Sequence, residues 1–348
     1  MKKLAVLLVA VLAVAALAGC SGGGVEKTMS LYVLNWGDYI EEGVLEGFRQ
    51  EYPHIDMHYD TMTSNEEMLI RLQSADSIYD LCFPSDYAIT KLIKEDLLAE
   101  IDTSRLTNYK NLDPRFLNRE FDPENKYSVP YFWGTFGIMY NTKMVTEPVE
   151  SWDILWDEKY KDQIYMYDSV RDSMMIALLR LGYANNTTNP DEIAEAEALL
   201  KQQKPIVAAY GTDDLRDRMV AESGALAAVY NGDAYSGITM NPDLAYVVPV
   251  EGSNIWFDNM VIPKSSKNKD AAYLFIDYLL RADIAAINAD YVGYSTPNAA
   301  AMELLDEEMI QDEVYNPSQE VIDRCTPHLD LGEHEKLYHD AWTRLKAY

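Results

Sequence analysis

Cysteine is scarce: the chain has three among 348 residues. Cys20 closes a leader-like N-terminus, which leaves Cys82 in an apolar run and Cys325 in a late segment. Two thiols exclude a disulfide-stapled scaffold and a four-cysteine metal site. One bridge between them and two isolated thiols both stay open. Histidine is nearly as sparse, at 5 residues. His54 and His58 fall on the polar side of an alternating segment, and His334 and His339 do not share a helix face. No zinc-type spacing and no Gly-rich phosphate loop is present, so neither a metal nor a cofactor is expected. Positive charge is also short: 29 Lys and Arg stand against 57 Asp and Glu, a formal charge of −28. Such a field repels nucleic acid and steers cations, although acidity also simply keeps an exported protein soluble.

Long apolar runs are confined to the start. Lys2 and Lys3 precede an uncharged stretch from Leu4 to Gly19, short of the ~20 residues of a permanent span. A basic start, an apolar run and small residues before a break read as a secretory signal. Leu17-Ala18-Gly19-Cys20 resembles a bacterial lipobox, in which the Cys is acylated and becomes the mature N-terminus. An ordinary signal peptide with a chance Cys is the plainer alternative. Ser21-Gly22-Gly23-Gly24 reads as a flexible tether. The remaining chain exceeds the usual size of one hydrophobic core, so two lobes are expected.

The periodicity from residue 31 onward alternates strand and helix. Leu31 to Leu34 reads as a buried strand, and Val44, Leu45, Phe48 and Tyr52 have helical spacing. Ile55, Met57 and Tyr59 alternate with polar residues. Ser64 with Glu67 looks like a capping box opening a helix to about Gln73. Tyr79 to Pro84 is the third expected strand, and Ile89, Leu92 and Ile93 mark the next helix. A βαβαβα order predicts a parallel sheet with right-handed crossovers. A second α/β set follows Val129, with strands at Ile164 to Tyr167, Ile206 to Tyr210, Ala225 to Tyr230, Ala245 to Val250 and Ile255 to Pro263. Its expected helices are Met174 to Leu181 and a segment opened by Asn189-Pro190. Asp270 to Leu280 and the tail from Gly332, with Leu337, Ala341 and Leu345 on one face, read as later helices.

Aromatic-acidic clusters sit where these strands end: Trp36-Gly37-Asp38-Tyr39, Ser85-Asp86-Tyr87, Tyr230-Asn231-Gly232-Asp233 and Trp256-Phe257-Asp258. Ligands on open α/β sheets bind outside the carboxyl ends of the strands, so the first two clusters share a functional rim. An aromatic face and a carboxylate both attract a cation, and converging clusters suit a small organic polycation. Each cluster alone is equally a ring at the core edge beside a solvated acid. Asp172 and Asp258 could also form an acid pair for glycoside chemistry. No Ser-His-Asp arrangement is readable from sequence.

Further landmarks accompany the clusters: Asn35-Trp36, Tyr79-Asp80-Leu81 with Pro84-Ser85, Leu106-Thr107-Asn108, Val129-Pro130-Tyr131-Phe132-Trp133-Gly134, Ser151-Trp152, Leu181-Gly182-Tyr183, Asn231-Gly232, and Gly293-Tyr294 with Thr296-Pro297-Asn298. In this order the chain resembles the spermidine/putrescine-binding proteins of polyamine ABC importers, over residues 31–346. The resemblance implies an α/β, two-lobed type II periplasmic-binding-protein fold with a hinge and an interlobe cleft. It implies a leader over 1–19, an anchor and tether over 20–29, a first lobe from 30–137 and 257–303, and a second from 138–256 and 304–348. Trp36, Tyr39, Ser85, Tyr87, Trp256, Asp258 and Tyr294 match the family's ligand contacts. Asp38 and Asp172 stand where Glu is common, and Thr212 stands for Ser. Tyr230 replaces a Trp, His328 a Gln and Ser169 an Asp, with Asp168 one residue early.

The resemblance implies a binding protein without enzymatic activity, a lipid-anchored monomer on the outer face of the bacterial cytoplasmic membrane. It would pass a polyamine to a membrane permease and bind no nucleic acid. The ligand's alkyl chain is expected against Trp36, Trp256, Tyr230 and Tyr294. Asp258 and Asp172 are expected at one set of ammonium groups, and Asp38 with Asp168 or Asp233 at another. A binder of sugar, thiamine or amino acid, an exported hydrolase and a polyamine-sensing lipoprotein stay open as rivals.

Overall fold

A computed structural model describes residues 28–212 and 214–348. The leader, the Leu17–Cys20 motif and the tether lie outside the described residues. The parallel unit expected at the start is present: β1 (Met29–Trp36) pairs in parallel with β2 (Ile55–Met62) and, on its other side, with β3 (Leu81–Cys82). Helices α1 (Glu42–Glu51), α2 (Asn65–Gln73) and α3 (Asp86–Lys94) alternate with these strands. The Ser64 hydroxyl accepts the Glu67 N–H at 3.1 Å. The Glu67 carboxylate closes the turn on the Thr63 N–H at 2.9 Å, one residue earlier than a capping box requires.

β4 (Ser128–Asn141) organises the rest. Its first half, Ser128 to Thr135, pairs with β9 (Ile255–Val261). Its second half pairs with β7 (Leu226–Tyr230) from Phe136 and with β8 (Leu244–Val247) from Ile138. β5 (Ile164–Tyr167) and β6 (Val207–Gly211) extend that side. The strand order is β2-β1-β3-β9-β4-β7-β5-β6, with β8 on β4. One strand therefore belongs to two half-sheets, and its partners change between Thr135 and Phe136.

Each half-sheet has its own core. Leu31, Val33, Phe48, Leu81 and Phe275 fill the first, together with α8 (Lys269–Leu279) and α9 (Ala282–Val292). Phe136, Trp152, Ile164 and Met174 fill the second, with Ala341 and Leu345 from the C-terminal helix Glu335–Ala347. In that helix Tyr338 is buried, whereas Leu337 is only half-buried. α4 (Val170–Arg180), α5 (Pro190–Gln203), α6 (Asp214–Val220) and α7 (Asn231–Met240) accompany the second half-sheet. Burying one large apolar side chain stabilises by about 1.5–3 kcal/mol, so two cores of this size each support a lobe.

Three sequence expectations need correction. The third strand has two ladder residues instead of the run from Tyr79 to Pro84. The buried Asp80 carboxylate takes the Tyr32 N–H at 3.1 Å, in place of a ladder carbonyl. Pro84 has no N–H to continue pairing. Asn231-Gly232-Asp233 is the first turn of α7 rather than a strand-end loop. α9 was not expected, because its alanines blur the contrast between faces; Gly293 ends it at φ 79°.

Both thiols are free. Burial pushes Cys82 far up and Cys325 up to about 11, so neither is a ready nucleophile. No described helix is long and apolar enough to cross a membrane.

Candidate ligand-binding cleft

The cleft lies where β4 changes partners. On the first lobe, the Trp36 indole N–H donates to the Phe83 carbonyl at 2.8 Å, tying the ends of β1 and β3 together. Three residues on, the Tyr39 hydroxyl donates to Asp258 Oδ2 at 2.9 Å. Trp256 and Asp258 are two apart on β9 and so share one face. Ser85 forms an isolated bridge with Asp258. It is the N-cap residue of α3 but makes no side-chain cap bond. Its hydroxyl instead accepts from Asn65 Nδ2 at 3.1 Å, and the same amide reaches the Tyr87 hydroxyl at 3.0 Å.

On the second lobe, Ser169 caps α4 by accepting the Asp172 N–H at 3.4 Å. Asp172 is buried, with the Tyr230 hydroxyl at 2.9 Å from one oxygen and His328 Nε2 at 3.2 Å from the other. The rings link the lobes. Tyr39 meets Tyr294 at 5.9 Å, Tyr294 meets Trp256 at 4.9 Å, and Trp256 meets Tyr230 at 6.0 Å, all edge to face. Two glycines make room for this row. A Cβ on Gly134 would strike the Trp256 ring and the Asn231 side chain, and one on Gly232 would strike the Tyr294 ring.

The two walls differ electrostatically. Burial pushes the Asp258 carboxyl up to about 7, with only the Ser85 and Tyr39 hydroxyls pulling it back. Burial also acts on Asp172, but the hydrogen bond and charge of His328, with the Ser169 and Tyr230 hydroxyls, outweigh it and hold the carboxyl below its ordinary range. Burial, followed by the nearby Arg171 charge, lowers His328 in spite of Asp172. Asp258 Oδ1, Trp256 Nε1 and His328 Nδ1 are buried without hydrogen-bond partners, and leaving such groups unpaired is costly.

Other expected residues lie apart from this row. Asp168 pairs with Lys346 at 2.9 Å, and Lys346 also lies over the Tyr210 and Trp342 rings. Thr212 is exposed at the end of β6, its N–H bonded to Asp214. Asp38 is exposed and accepts from the Tyr291 hydroxyl at 2.7 Å. Asp38 and Asp233 both act on Arg216, which also donates to Asp217 at 3.0 Å. Sequence reading missed Asn65, whose side chain ties Ser85 and Tyr87 together. Among the described residues no group of three or more His, Cys, Asp or Glu side chains is placed to hold a metal ion.

Comparison with known proteins identifies the family and the fold. Residues 45–316 match the family described as bacterial extracellular solute-binding protein. The spermidine/putrescine-binding periplasmic protein of Salmonella typhimurium is 39% identical, over 97% of each chain. Among solved structures, the spermidine/putrescine ABC transporter substrate-binding protein PotD of Streptococcus pneumoniae, in complex with calcium and HEPES, superposes with a TM-score of 0.80 at 40% identity. It covers 92% of this chain and 99% of that one. The TpPotD lipoprotein of Treponema pallidum gives 0.81 at 28% identity, covering 91% and 99%. The fold is the two-lobed type II binding-protein fold, and the hydrolase reading of Asp172 and Asp258 falls away, since the family binds and transports solutes rather than transforming them. With the family match spanning most of the chain and the relatives nearly all of it, this chain belongs to the bacterial extracellular solute-binding proteins.

Proposed function

We propose that this protein captures a polyamine, spermidine or putrescine, between its lobes and passes it to the permease of an ABC importer. One observation carries the reading: a continuous row of rings, Tyr39–Tyr294–Trp256–Tyr230, has a buried aspartate hydrogen-bonded at each end, Asp258 at Tyr39 and Asp172 at Tyr230. A polyamine has the matching pattern, an apolar chain between ammonium groups. Desolvated cation–π contacts contribute about 2 kcal/mol each. Charge-assisted hydrogen bonds exceed neutral ones roughly twofold, so the acids select against sugars and other neutral solutes. Trp36, Ser85, Tyr87, Ser169 and His328 shape the walls. Asp38, Asp233 and Asp168 lie outside this row and add negative charge that draws cations toward it, with Thr212 a neutral neighbour. The printed names of the relatives support the same ligand class.

The lobes would turn about β4 and the start of β9. Lys94 on α3 pairs with Asp330, from the segment packed on the second lobe, at 2.7 Å, a contact made with the lobes together. Cys20 would carry the lipid anchor on the outer face of the cytoplasmic membrane, in keeping with the lipoprotein nature of the Treponema pallidum relative; Cys20→Ser should release the protein from membranes. The test of function is calorimetric titration of the chain without its leader and Cys20, using spermidine, putrescine and a neutral sugar, at low and physiological salt. One-to-one polyamine binding at micromolar affinity or tighter, weakened by salt and absent with sugar, is expected. No heat with either polyamine overturns the reading.

A further inference from the structure

Asp86 lies between two residues already placed in the cleft, yet nothing above uses its side chain. It is 3% exposed. Its Oδ1 takes the Tyr87 N–H at 2.7 Å, while Oδ2 is buried with no hydrogen-bond partner. The groups that act on this carboxyl come from every side of the cleft. They are the Tyr87 N–H on its own helix, the Phe257 N–H and the Asp258 carboxyl on β9, and the Arg171 guanidinium on α4 of the opposite lobe. Asp86 follows Ser85, which bridges Asp258 on β9, and Asp258 Oδ1 is orphaned as well. Two adjacent buried acids, each with a bare oxygen, repel one another when ionised, and a cation between them removes both costs.

We propose that Asp86 is a ligand-binding residue that, together with Asp258, holds one terminal ammonium group of the bound polyamine. This rests on the polyamine reading above and adds a second acid at the first-lobe end. An ammonium has three N–H donors. One aspartate oxygen on each of two acids and a third acceptor would satisfy it, which a neutral or singly hydrogen-bonding end group cannot match. Burial pushes Asp86 up to about 8, partly offset by the Tyr87 N–H and reinforced by Asp258. The empty pair therefore holds protons near neutral pH, and entry of an ammonium group expels them.

The test is titration of spermidine into the wild type, Asp86→Asn and Asp86→Glu at pH 6.5, in two buffers of different ionisation enthalpy. The slope between buffers counts the protons released. Asp86→Asn, close to isosteric, should weaken binding at least ~10-fold, the loss of one charged hydrogen bond, and release fewer protons. Asp86→Glu keeps the charge and should retain most of the proton release. A purely structural Asp86, protonated and spectating, gives Asp86→Asn the affinity and proton release of the wild type, and that result overturns the proposal. If Asp86→Asn does not fold, a wild-type titration that releases no proton does the same. No binding by the folded wild type is a different failure: it removes the polyamine reading and the role of Asp86 with it.

Discussion

Asp80 and Asp122 are as deeply buried as Asp86 and Asp258, yet their surroundings are opposite. Asp122 accepts the N–H groups of Lys126, Tyr127 and Ser128 at 3.0, 2.8 and 2.9 Å and the Ser128 hydroxyl at 2.8 Å. Asp80 accepts from Tyr32 on β1 and from Ser266 and Asn268, tying β1 to the segment that enters α8. Their charge is paired by the fold itself. Asp86 and Asp258 each keep one oxygen without a partner. Burial fraction alone would class all four together; counting donors separates acids that hold the lobe from acids left with a bare oxygen.

The contrast is sharpest when each kind is removed. Asp122→Ala strands three backbone N–H groups and should destabilise the protein by at least about 3 kcal/mol in urea unfolding. Asp258→Asn should leave the ligand-free protein as stable as the wild type or more so, because the amide oxygen can still accept the Tyr39 hydroxyl and no backbone donor is stranded. Equal destabilisation by the two would erase the distinction.

Acidity probes the same difference without mutation. The folded Asp258 and Asp86 carboxyls titrate at about 7 and about 8, above their ordinary 3.8. The folded state then binds more protons than the unfolded chain between roughly pH 4 and 8, so these groups make stability fall as pH rises through that window. Polyamine affinity should rise over the same window. In Asp258→Asn and Asp86→Asn the stability decline should flatten, as read by thermal unfolding across pH.

A smaller effect tests the second wall. Tyr230→Phe removes one donor from Asp172 while leaving His328 and Ser169. It should move the Asp172 titration upward, seen by carboxyl NMR, and cost about 1 kcal/mol of stability. Smallest of all is the interlobe pair. Lys94 is largely exposed, so Lys94→Met should reduce polyamine affinity by no more than a few-fold, within the ~1 kcal/mol of exposed ion pairs.

Much of the frame was legible in the sequence because strong local signals marked it. Ile164 to Tyr167 is an apolar run bounded by Lys161-Asp162 and Asp168, and the strand has those bounds. Asn189-Pro190 opens α5 through an Asn189 side chain that accepts the Asp191 N–H. The double role of β4 was not legible, since a run buried on both faces does not say which neighbour it pairs with. Among candidate site residues, Trp256 and Asp258 could be assigned to one face from their spacing alone. The turn of Asp168 toward Lys346, and the meeting of Asp172 with His328, depend on contacts 178 and 156 residues apart. No local pattern encodes them.

The most direct test is spermidine titration into wild type and Asp258→Asn side by side, with unfolding curves confirming that both are folded. The expected result is one-to-one binding by the wild type and a loss on the order of 100-fold in the variant, the ~3 kcal/mol of a charged, desolvated hydrogen bond. Equal affinity in the two folded proteins would contradict the assignment of the orphaned acids to the ligand.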